Sequence, residues 1–233
     1  MNWQDVAARL FPQGHSIAQQ GELLSGSGRC GEHTVAVIGM TGHAEVGIEL
    51  ALAMARAVLA VAREHPGRPI LFLVDTQGQR LRRRDELLGI HCYMAHVAKC
   101  VEVARQRGHR IIGLVYDQAL SGGFLPNAMM ADVCAALPEA EIRVMNLPAM
   151  ARVMRIPEER LRELSQSSPV FAPGAINYVR MGAIDALWDG DLAQHLRDAL
   201  AAAEPRDVRR VRGLERGGRM LAQAVAQRVA EDG

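Results

Sequence analysis

The chain has 233 residues, of which 49% are hydrophobic and 23% charged, so its composition is that of a globular protein and does not suggest disorder or a membrane protein. The net charge of +1 provides no global positive field of the kind that nucleic-acid-binding domains carry. A chain of this length can bury a sizeable core, and we expect one domain. Neither nucleic acid nor a membrane is therefore expected as a partner.

Two further features indicate the compartment. The four cysteines form no C-x-x-C pair, and a chain of this length folds without disulfides; they are Cys30, Cys92, Cys100 and Cys134. No basic segment followed by an apolar one stands at the N-terminus, and the most apolar stretch, 46–62, contains Glu49 and Arg56. We expect a cytoplasmic protein with reduced thiols.

The first third of the chain predicts a helix, a loop, a strand and a second helix. Residues 2–10 have helix-forming composition, and the Gly- and Ser-rich segment 21–31 is typical of a flexible loop. The apolar run 33–40, rich in Val, predicts a strand that is covered on both faces. Residues 44–64 predict a long helix with apolar residues nearly all round, the pattern of a helix buried between layers.

Strands and helices alternate through the middle of the chain, which predicts parallel βαβ units and an α/β fold. The expected strands are 69–74, 110–115, 133–136 and 142–144, and the expected helices are 82–107, 123–130 and 157–166. From 191 onward the composition is helical, interrupted by Pro205 and by 213–218. The predicted organisation is an N-terminal helix and flexible loop (1–32), an α/β core (33–190) and a C-terminal helical extension (191–233).

Three familiar signatures are present only in part. The pattern G-x-G-x-x-G at 26–31 precedes a strand, whereas the dinucleotide-binding fingerprint follows one, so a loop is favoured. Ser121 lacks the glycine that a hydrolase nucleophile elbow needs two residues earlier. His91 and His96 are five residues apart and do not share a helix face as paired metal ligands would. Like His43, they are expected to be solvated or hydrogen-bonded, and no metal site is expected.

The most informative segment is 116–132, YDQALSGGFLPNAMMAD, in which a strand ends, two glycines follow and a helix of small residues is expected to begin. Glycine lets a substrate carbonyl approach the backbone, and free N–H groups at a helix start can stabilise negative charge on an oxygen atom. The amides of Gly122 and Gly123 are therefore candidate oxyanion donors. An ordinary strand-to-helix turn explains the same glycines equally well.

A second candidate segment is 71–79, LFLVDTQGQ, an apolar strand that ends in polar residues and a glycine turn. Ligands of open α/β sheets bind at the carboxyl ends of the strands. The alternative is that Asp75 or Thr76 only caps the Arg-rich helix that follows.

Four segments, in this order, resemble the carboxyltransferase branch of the crotonase-like fold. The turn DTQGQ (75–79) is similar to the family's D-T-P-G-F, and ELLGIH (86–91) is similar to its E-x-x-G-I. Segment 116–124 resembles the strand and Gly-Gly element that forms an oxyanion hole, and AEIRVM (140–145) is close to A-E-I-A-V-M. The resemblance covers about residues 33–189 and implies a crotonase-like fold.

Two departures narrow this resemblance. Gln77 and Gln79 stand where the family has Pro and Phe, and the chain is only about half as long as a carboxyltransferase with two facing halves. This combination is most similar to the gamma subunits of biotin-independent malonate decarboxylases, over nearly the whole chain. It implies a beta subunit that supplies the other half, and an acyl carrier protein with a phosphopantetheine-type arm.

The implied reaction is decarboxylation of a malonyl thioester to an acetyl thioester, with no cofactor bound by this chain and no activity of the chain alone. By the resemblance, Gly122 and Gly123 would stabilise the oxyanion. The residues that would line the same pocket are Thr76, Gln77, Gly78, Gln79 and Ser121.

Two alternatives stay open. A stand-alone enoyl-thioester hydratase or isomerase of the same fold would need carboxylates beside the glycine pair, and Glu139 and Glu141 are the candidates. A non-catalytic scaffold subunit would use its C-terminal helices only to dock partners.

The basic segment 80–84 is also open to two interpretations. Its arginines form either a solvated helix face or a contact with a phosphate of the arm or the acidic surface of the carrier protein.

Overall fold

The computed structural model describes residues 1–145, 147–167, 174–202, 207–217 and 220–231. Within these ranges the strands are β1 (His15–Gln20), β2 (Leu23–Cys30), β3 (His33–Met40), β4 (Ala44–Val46), β5 (Ile70–Gln79), β6 (Ile111–Leu120), β7 (Val133–Ala136), β8 (Glu141–Arg143) and β9 (Ala186–Leu187). The helices are α1 (Trp3–Leu10), α2 (Ile48–Glu64), α3 (Arg83–Leu87), α4 (Ile90–Gln106), α5 (Leu147–Met154), α6 (Glu158–Ser167), α7 (Ala175–Arg180), α8 (Leu192–Ala201), α9 (Arg209–Glu215) and α10 (Ala222–Glu231). Two short 3-10 turns, Ser121–Gly123 and Ala128–Met130, follow β6.

The strands of the described residues form one mixed sheet in the order β1-β2-β3-β5-β6-β7-β9, with β4 paired to β5 and β8 paired to β6. The first three strands are antiparallel, whereas β3, β5, β6, β7 and β9 run parallel, as predicted for βαβ units. The ends of β5 and β6 lie side by side, with Thr76 opposite Ala119. This carboxyl edge of the parallel strands is where ligands bind in open α/β sheets.

The core surrounds the two central strands. Residues 70–74 of β5 and 111–115 of β6 are all buried, as expected for parallel strands that are covered on both faces. Helices α2 and α4 pack against each other, and α2 also contacts β3. Each fully buried Leu or Ile contributes about 1.5–3 kcal/mol, so these apolar runs hold the carboxyl edge in place.

The N-terminal part of the fold differs from the prediction at one point. Helix α1 confirms the predicted helix, but segment 21–31 forms strand β2 rather than a flexible loop. Its glycines serve close packing, since a side chain at Gly28 would collide with the ring of Phe11. The loop prediction was wrong because glycine at a close contact within a strand looks the same in sequence as glycine in a loop.

Three predicted helices are shorter or divided in the structure. The segment 44–64 begins as strand β4, and the outer face of α2 is partly open, with Leu59 38% exposed. The predicted helix 82–107 is divided into α3 and α4 at Gly89, whose φ is 75°. The predicted helix 123–130 is replaced by the two 3-10 turns, because Pro126 disfavours helical backbone before it.

Other boundaries agree closely. Strands β3 and β7 coincide with the predicted strands, β8 is displaced by one residue, and α6 begins directly after Pro157. Strands β5 and β6 extend five residues beyond the predicted ends, to Gln79 and Leu120. The extensions carry the polar residues of the candidate site, which an apolar pattern does not include.

The C-terminal helices differ in how much of each is buried. In α8, Leu192, Leu196 and Leu200 are buried, and the helix contacts α1 and β2. Helix α9 is held by Arg209, whose guanidinium donates to the carbonyl of Met130. No residue of α10 is buried. The predicted break at Pro205 and the last residue of the one at 213–218 lie outside the described residues.

None of the described helices is both long enough and apolar enough to cross a membrane.

Candidate functional site

Two turns meet at the carboxyl edge of the sheet. The first turn is the segment 76–79, which forms the last four residues of β5, and the second turn is Ser121–Gly123, which directly follows β6. Thr76 organises the first turn, since its buried Oγ1 donates to the carbonyl of Ala44 (2.6 Å) and accepts from the N–H of Gly78 (3.0 Å). The structure therefore brings the predicted pocket residues together, although the two segments lie far apart in the sequence.

The two glycines after β6 have different surroundings. A Cβ at Gly123 would lie 2.6 Å from Thr76 Oγ1 and 2.8 Å from the Cα of Gly78, so only glycine fits without a shift. A Cβ at Gly122 would meet only Gln79 Oε1, at 4.0 Å. Gly123 is buried and Gly122 half-buried. Gly123 thus packs the two turns together, while the backbone of Gly122 is accessible to a ligand.

Positive φ angles lie beside the glycine pair rather than on it. Ser121 has a φ of 52° and Gly78 a φ of 106°, whereas neither Gly122 nor Gly123 has a positive φ. A serine in the left-handed region is uncommon, and such residues cluster at functional sites. The exposed Ser121 is therefore a strained residue at the entrance of the second turn.

The short turn changes the basis of the oxyanion hypothesis. A helix beginning at Gly123 would have added its dipole, but Ser121–Gly123 is a single 3-10 turn, which adds little. In such a turn each N–H donates to the carbonyl three residues earlier, so the first N–H groups have no acceptor inside the turn. The open backbone at Gly122 is the candidate donor that this geometry favours.

Asn127 fixes the far side of this turn, although the sequence pattern did not single it out. The residue is 1% exposed. Its Nδ2 donates to the carbonyl of Gly123 (3.1 Å), and its Oδ1 accepts from the N–H of Ala128 (2.6 Å). An asparagine after a proline, within an otherwise apolar run, was the signal that could have revealed it.

The glutamines of the first turn point outward. Gln77 is exposed, and Gln79 is half-buried. The side chain of Gln79 donates from Nε2 to Glu86 Oε1 (3.0 Å). Gln77 is therefore available at the rim of the two turns, whereas the amide of Gln79 is held by Glu86.

The arginines that follow the first turn are not equivalent. Arg80 forms an ion pair with Glu22 (3.2 Å), and Arg84 forms one with Glu49 (2.5 Å). The other two are exposed, namely Arg82 and Arg83. An anionic partner would meet these two first.

The carboxylates considered for hydratase chemistry are not arranged as an acid and base pair. Glu139 projects into solvent before β8, and Glu141 forms an ion pair with Arg143 of the same strand. A hydratase requires carboxylates poised beside the oxyanion donors. The engaged state of Glu141 and the exposure of Glu139 disfavour that alternative.

A second polar cluster lies at the same edge and consists of His43, Asp75 and Asp117. The backbone N–H of His43 donates to Asp75 Oδ2 (2.8 Å). Its ring Nε2 lies 3.7 Å from Asp75 Oδ1 and 3.6 Å from Asp117 Oδ2. The alternative that Asp75 caps the following helix is wrong, because the cap position of α3 is Arg82.

Burial dominates the electrostatics of this cluster. Burial raises the pKa of Asp75, while the nearby N–H and ring of His43 act in the opposite direction. Burial also raises the pKa of Tyr116, whose hydroxyl donates to the carbonyl of Met40 (3.2 Å).

Of the two histidines of α4, His91 is exposed, and the ring of His96 contacts Cys100 Sγ at 3.7 Å. Only the cluster around Asp75 combines a histidine with two carboxylates among the described residues.

The fold identifies the structural class to which the protein belongs. A solved transcarboxylase 12S structure superposes with a TM-score of 0.73 at 20% identity, over 88% of this chain and 43% of that chain. At this identity the similarity concerns the fold alone. The protein has the α/β fold of the crotonase-like carboxyltransferases, and it corresponds to less than half of a transcarboxylase chain.

Within this structural class, the sequence identifies one family. The family model of the malonate decarboxylase gamma subunit matches residues 41–233, and the chain belongs to this family. A malonyl-S-ACP:biotin-protein carboxyltransferase of Malonomonas rubra is 31% identical over 196 residues, which are 76% of this chain and 67% of the relative. These matches confirm the resemblance inferred from the motifs.

Solved malonate decarboxylases are similar over nearly the whole chain. A Pseudomonas malonate decarboxylase hetero-tetramer in complex with coenzyme A has a TM-score of 0.78 at 25% identity, covering 97% of this chain and 96% of that chain. A Pseudomonas malonate decarboxylase hetero-dimer has a TM-score of 0.75 at 26% identity, with the same coverage of 97% and 96%.

Proposed function

We propose that the protein acts as the gamma subunit of a malonate decarboxylase, together with a beta subunit, and converts malonyl thioester on an acyl carrier protein into acetyl thioester and CO2. The observation that carries the proposal is the family match over 41–233, which includes both turns of the carboxyl edge. The hetero-tetramer and hetero-dimer of the similar Pseudomonas proteins support a second subunit. The malonyl-S-ACP in the name of the Malonomonas relative supports a carrier-bound substrate.

The chemistry requires an oxyanion site. The bond between the carboxylate carbon and the α carbon breaks, its electron pair moves into the thioester, and CO2 leaves. A proton then adds to the α carbon and completes the acetyl group. Negative charge therefore develops on the thioester oxygen. Backbone N–H donors stabilise this charge without titrating, and loss of one such donor lowers a rate by about 100- to 1,000-fold.

The two turns supply the groups that this chemistry needs. Of the amides of Gly122 and Gly123, that of Gly122 would be the principal donor, because its residue is half-buried and open. Gly123 would bring the backbone close to the first turn, where Thr76 holds the N–H of Gly78. The residues that would line the thioester pocket are Thr76, Gln77, Gly78, Gln79 and Ser121.

The surroundings of the turns fit a site that another chain completes. Leu81, two residues after Gln79, is 85% exposed, and Leu125, two residues after Gly123, is 51% exposed. Both leucines stand two residues from a turn, so a chain that covered the turns would also bury apolar surface, which favours association. A beta subunit placed over them would exclude water, which strengthens the hydrogen bonds to the oxyanion.

The decarboxylation itself would need no cofactor on this chain, since amide donors supply the stabilisation. The malonyl group would arrive on the phosphopantetheine-type arm of the carrier protein. We place the complex in the cytoplasm.

A second candidate activity is carboxyl transfer to a biotin protein, which is the activity in the name of the Malonomonas relative. Both reactions break the same bond of the malonyl thioester and leave charge on the same oxygen. They differ in the fate of the carboxyl group, which is released as CO2 in one and transferred to biotin in the other. The two turns serve either reaction, so the acceptor must be tested directly.

Reconstitution tests the proposal. The full chain is combined with a beta subunit and malonyl-loaded carrier protein, and both CO2 and acetyl thioester are measured. We expect turnover only when both subunits are present, and no effect of avidin. Turnover by the chain alone would contradict the shared site. A requirement for a biotinylated acceptor, with inhibition by avidin, would assign carboxyl transfer, and hydration of an enoyl thioester by the chain alone would assign a hydratase.

A further inference from the structure

Three side chains that could hold a metal ion converge beside the two turns. His43 precedes β4, Asp75 belongs to β5, and Asp117 belongs to β6, so the pairing of three strands assembles the group. One ligand atom from each residue lies within 4.8 Å of the other two. An open pocket of about 510 Å³ adjoins the group and is also lined by Thr41 and Tyr116.

The two distances from the ring of His43 to the carboxylates are longer than a hydrogen bond and close to those between two ligands of one ion. His43 Nε2 lies 3.7 Å from Asp75 Oδ1 and 3.6 Å from Asp117 Oδ2, which is too far for a hydrogen bond. In a tetrahedral zinc site with metal–ligand bonds near 2.1 Å, neighbouring ligand atoms lie roughly 3.4 Å apart. Small side-chain movements would bring all three atoms to a shared ion.

Asp75 provides an independent indication of a ligand. The residue is 3% exposed and its Oδ2 accepts the N–H of His43, whereas its Oδ1 makes no hydrogen bond of normal geometry, although the backbone N–H of Gln118 and the hydroxyl of Tyr116 also act on this carboxylate. A buried carboxylate oxygen without a partner is unfavourable. This oxygen faces the ring of His43, so a cation between them would satisfy it.

We propose that His43, Asp75 and Asp117 bind a divalent transition-metal ion, for which Zn²⁺ is the best match. One imidazole and two carboxylates suit zinc, whereas Mg²⁺ and Ca²⁺ prefer oxygen ligands alone. With three protein ligands, the fourth position of a zinc ion faces the pocket and is open to water or an anion. The amino group of Met1, 3.9 Å from Asp117 Oδ2, is a cation that the metal must displace.

The test uses the full chain without an affinity tag, because an added segment would alter the surroundings of Met1 and could bind zinc itself. The chain is treated with a chelator and then titrated with Zn²⁺ in competition with a chromophoric indicator. We expect one equivalent to bind and the melting temperature to rise, because the metal binds the folded state. Co²⁺ in place of Zn²⁺ should give the visible absorption of tetrahedral coordination.

Ligand variants localise the site. His43→Ala and Asp117→Asn change side chains that are 47% and 37% exposed, so both are expected to fold. Each should weaken zinc binding by roughly tenfold or more and remove the rise in melting temperature. Asp75→Asn keeps an acceptor for the His43 N–H and should have the same effect. His65→Ala removes an exposed histidine at the end of α2 and, as the matched control, should bind zinc like the wild type.

Two results would overturn the proposal. One is a wild-type chain that binds no stoichiometric zinc, and the other is equally tight binding by His43→Ala and Asp117→Asn. Circular dichroism establishes that the variants fold. If one variant does not fold, the other variant and the cobalt spectrum of the wild type still decide the question. The outcome is independent of the decarboxylase assay, since binding is measured on this chain alone.

Discussion

The two turns around Gly122 and the cluster around His43 lie at the same edge of the sheet but are built differently. The turns use backbone amides and glycines, with few titratable groups, whereas the cluster consists of one histidine and two carboxylates. Asp75 and Thr76 are consecutive in β5, yet Thr76 holds the first turn and Asp75 belongs to the cluster. Because successive side chains of a strand point to opposite faces, one strand can serve both regions.

The two regions differ in how far apart their residues lie in the sequence. Ser121–Gly123 is contiguous, so its backbone donors can be anticipated from a short motif. The members of the cluster come from β5, from β6 and from the residue before β4, and their distances depend on the register of these strands. A backbone site can therefore be recognised locally, whereas a site of convergent side chains requires the assembled fold.

The largest effect is expected at Gly122. Gly122→Ala has room, because its Cβ would meet only Gln79 Oε1 at 4.0 Å. Gly122→Val adds bulk where the thioester oxygen would lie. We expect the valine variant to lower the decarboxylation rate of the reconstituted complex by roughly 100-fold or more, the scale of a lost oxyanion donor, with a smaller loss for alanine.

Melting temperature and beta-subunit binding serve as controls for both Gly122 variants, and both should match the wild type. A valine variant that assembles normally and still decarboxylates at the wild-type rate would show that this glycine only forms a turn. The scaffold alternative would then be the better account of the chain.

Gly123 should behave in the opposite way and affect folding first. The Cβ of Gly123→Ala would lie 2.6 Å from Thr76 Oγ1. Overpacking of this kind costs about 1–3 kcal/mol, which chemical denaturation of the isolated chain would measure. Combining it with Thr76→Ala removes the obstructing oxygen but leaves the Cα of Gly78 at 2.8 Å, so the double variant should lose somewhat less stability than the sum of the single changes without regaining that of the wild type. A Gly123→Ala protein as stable as the wild type would contradict the close-packing explanation, and additive losses would assign the obstruction to the backbone of Gly78 rather than to Thr76.

A moderate effect is expected from the exposed arginines beside the first turn. Replacing Arg82 and Arg83 by Ala should raise the Michaelis constant for loaded carrier protein by about fivefold at low salt, and by less at high salt, because salt screens exposed charges. Arg84→Ala is the matched control, since Glu49 already neutralises that arginine. A Michaelis constant that is unchanged at every ionic strength would leave the solvated helix face as the explanation.

The smallest effect lies outside both regions, where α9 docks. Hydrogen bonds from Arg209 lower the pKa of Asp207 to about 2. Because this pKa is depressed, the carboxylate stabilises the fold above its unfolded pKa near 3.9 and loses that contribution as the pH falls towards 2. Asp207 is 40% exposed, so Asp207→Asn should cost at most about 1 kcal/mol near neutral pH.

Thermal unfolding across the acidic range measures this contribution. The difference between wild type and Asp207→Asn should shrink as the pH falls, whereas Glu159→Gln, an exposed acid on α6, should show little difference at any pH. A difference that grows with acidity would have the wrong sign for a depressed pKa.

The central architecture and the two segments that meet at the carboxyl edge could be predicted from sequence alone. Strand β3 coincides with the apolar run 33–40, because a strand covered on both faces must be apolar along its length. Through the resemblance to the carboxyltransferases, the ordered motifs at 75–79 and 116–124 identified the residues that the structure brings together. These features are local, so neighbouring residues carry the information.

Glycines and short turns could not be assigned in the same way. The glycines of β2 look like those of a loop, yet Gly28 lies against the ring of Phe11. Gly122 and Gly123 are adjacent and chemically identical, and only the approach of Thr76 distinguishes the open residue from the packed one. The decisive contacts come from residues that are distant in the chain.

The histidine and carboxylate cluster depends most on the tertiary fold. His43 and Asp117 carry no recognisable ligand spacing in the sequence, and Asp75 looks like a helix cap. Parallel pairing of β4 and β6 with β5 brings the three to one place and buries one oxygen of Asp75 without a hydrogen bond. Strand register and burial depend on residues that are distant in the chain. The spacing of the three residues in the sequence therefore reveals neither their contact nor the free-energy cost of burying the Asp75 oxygen.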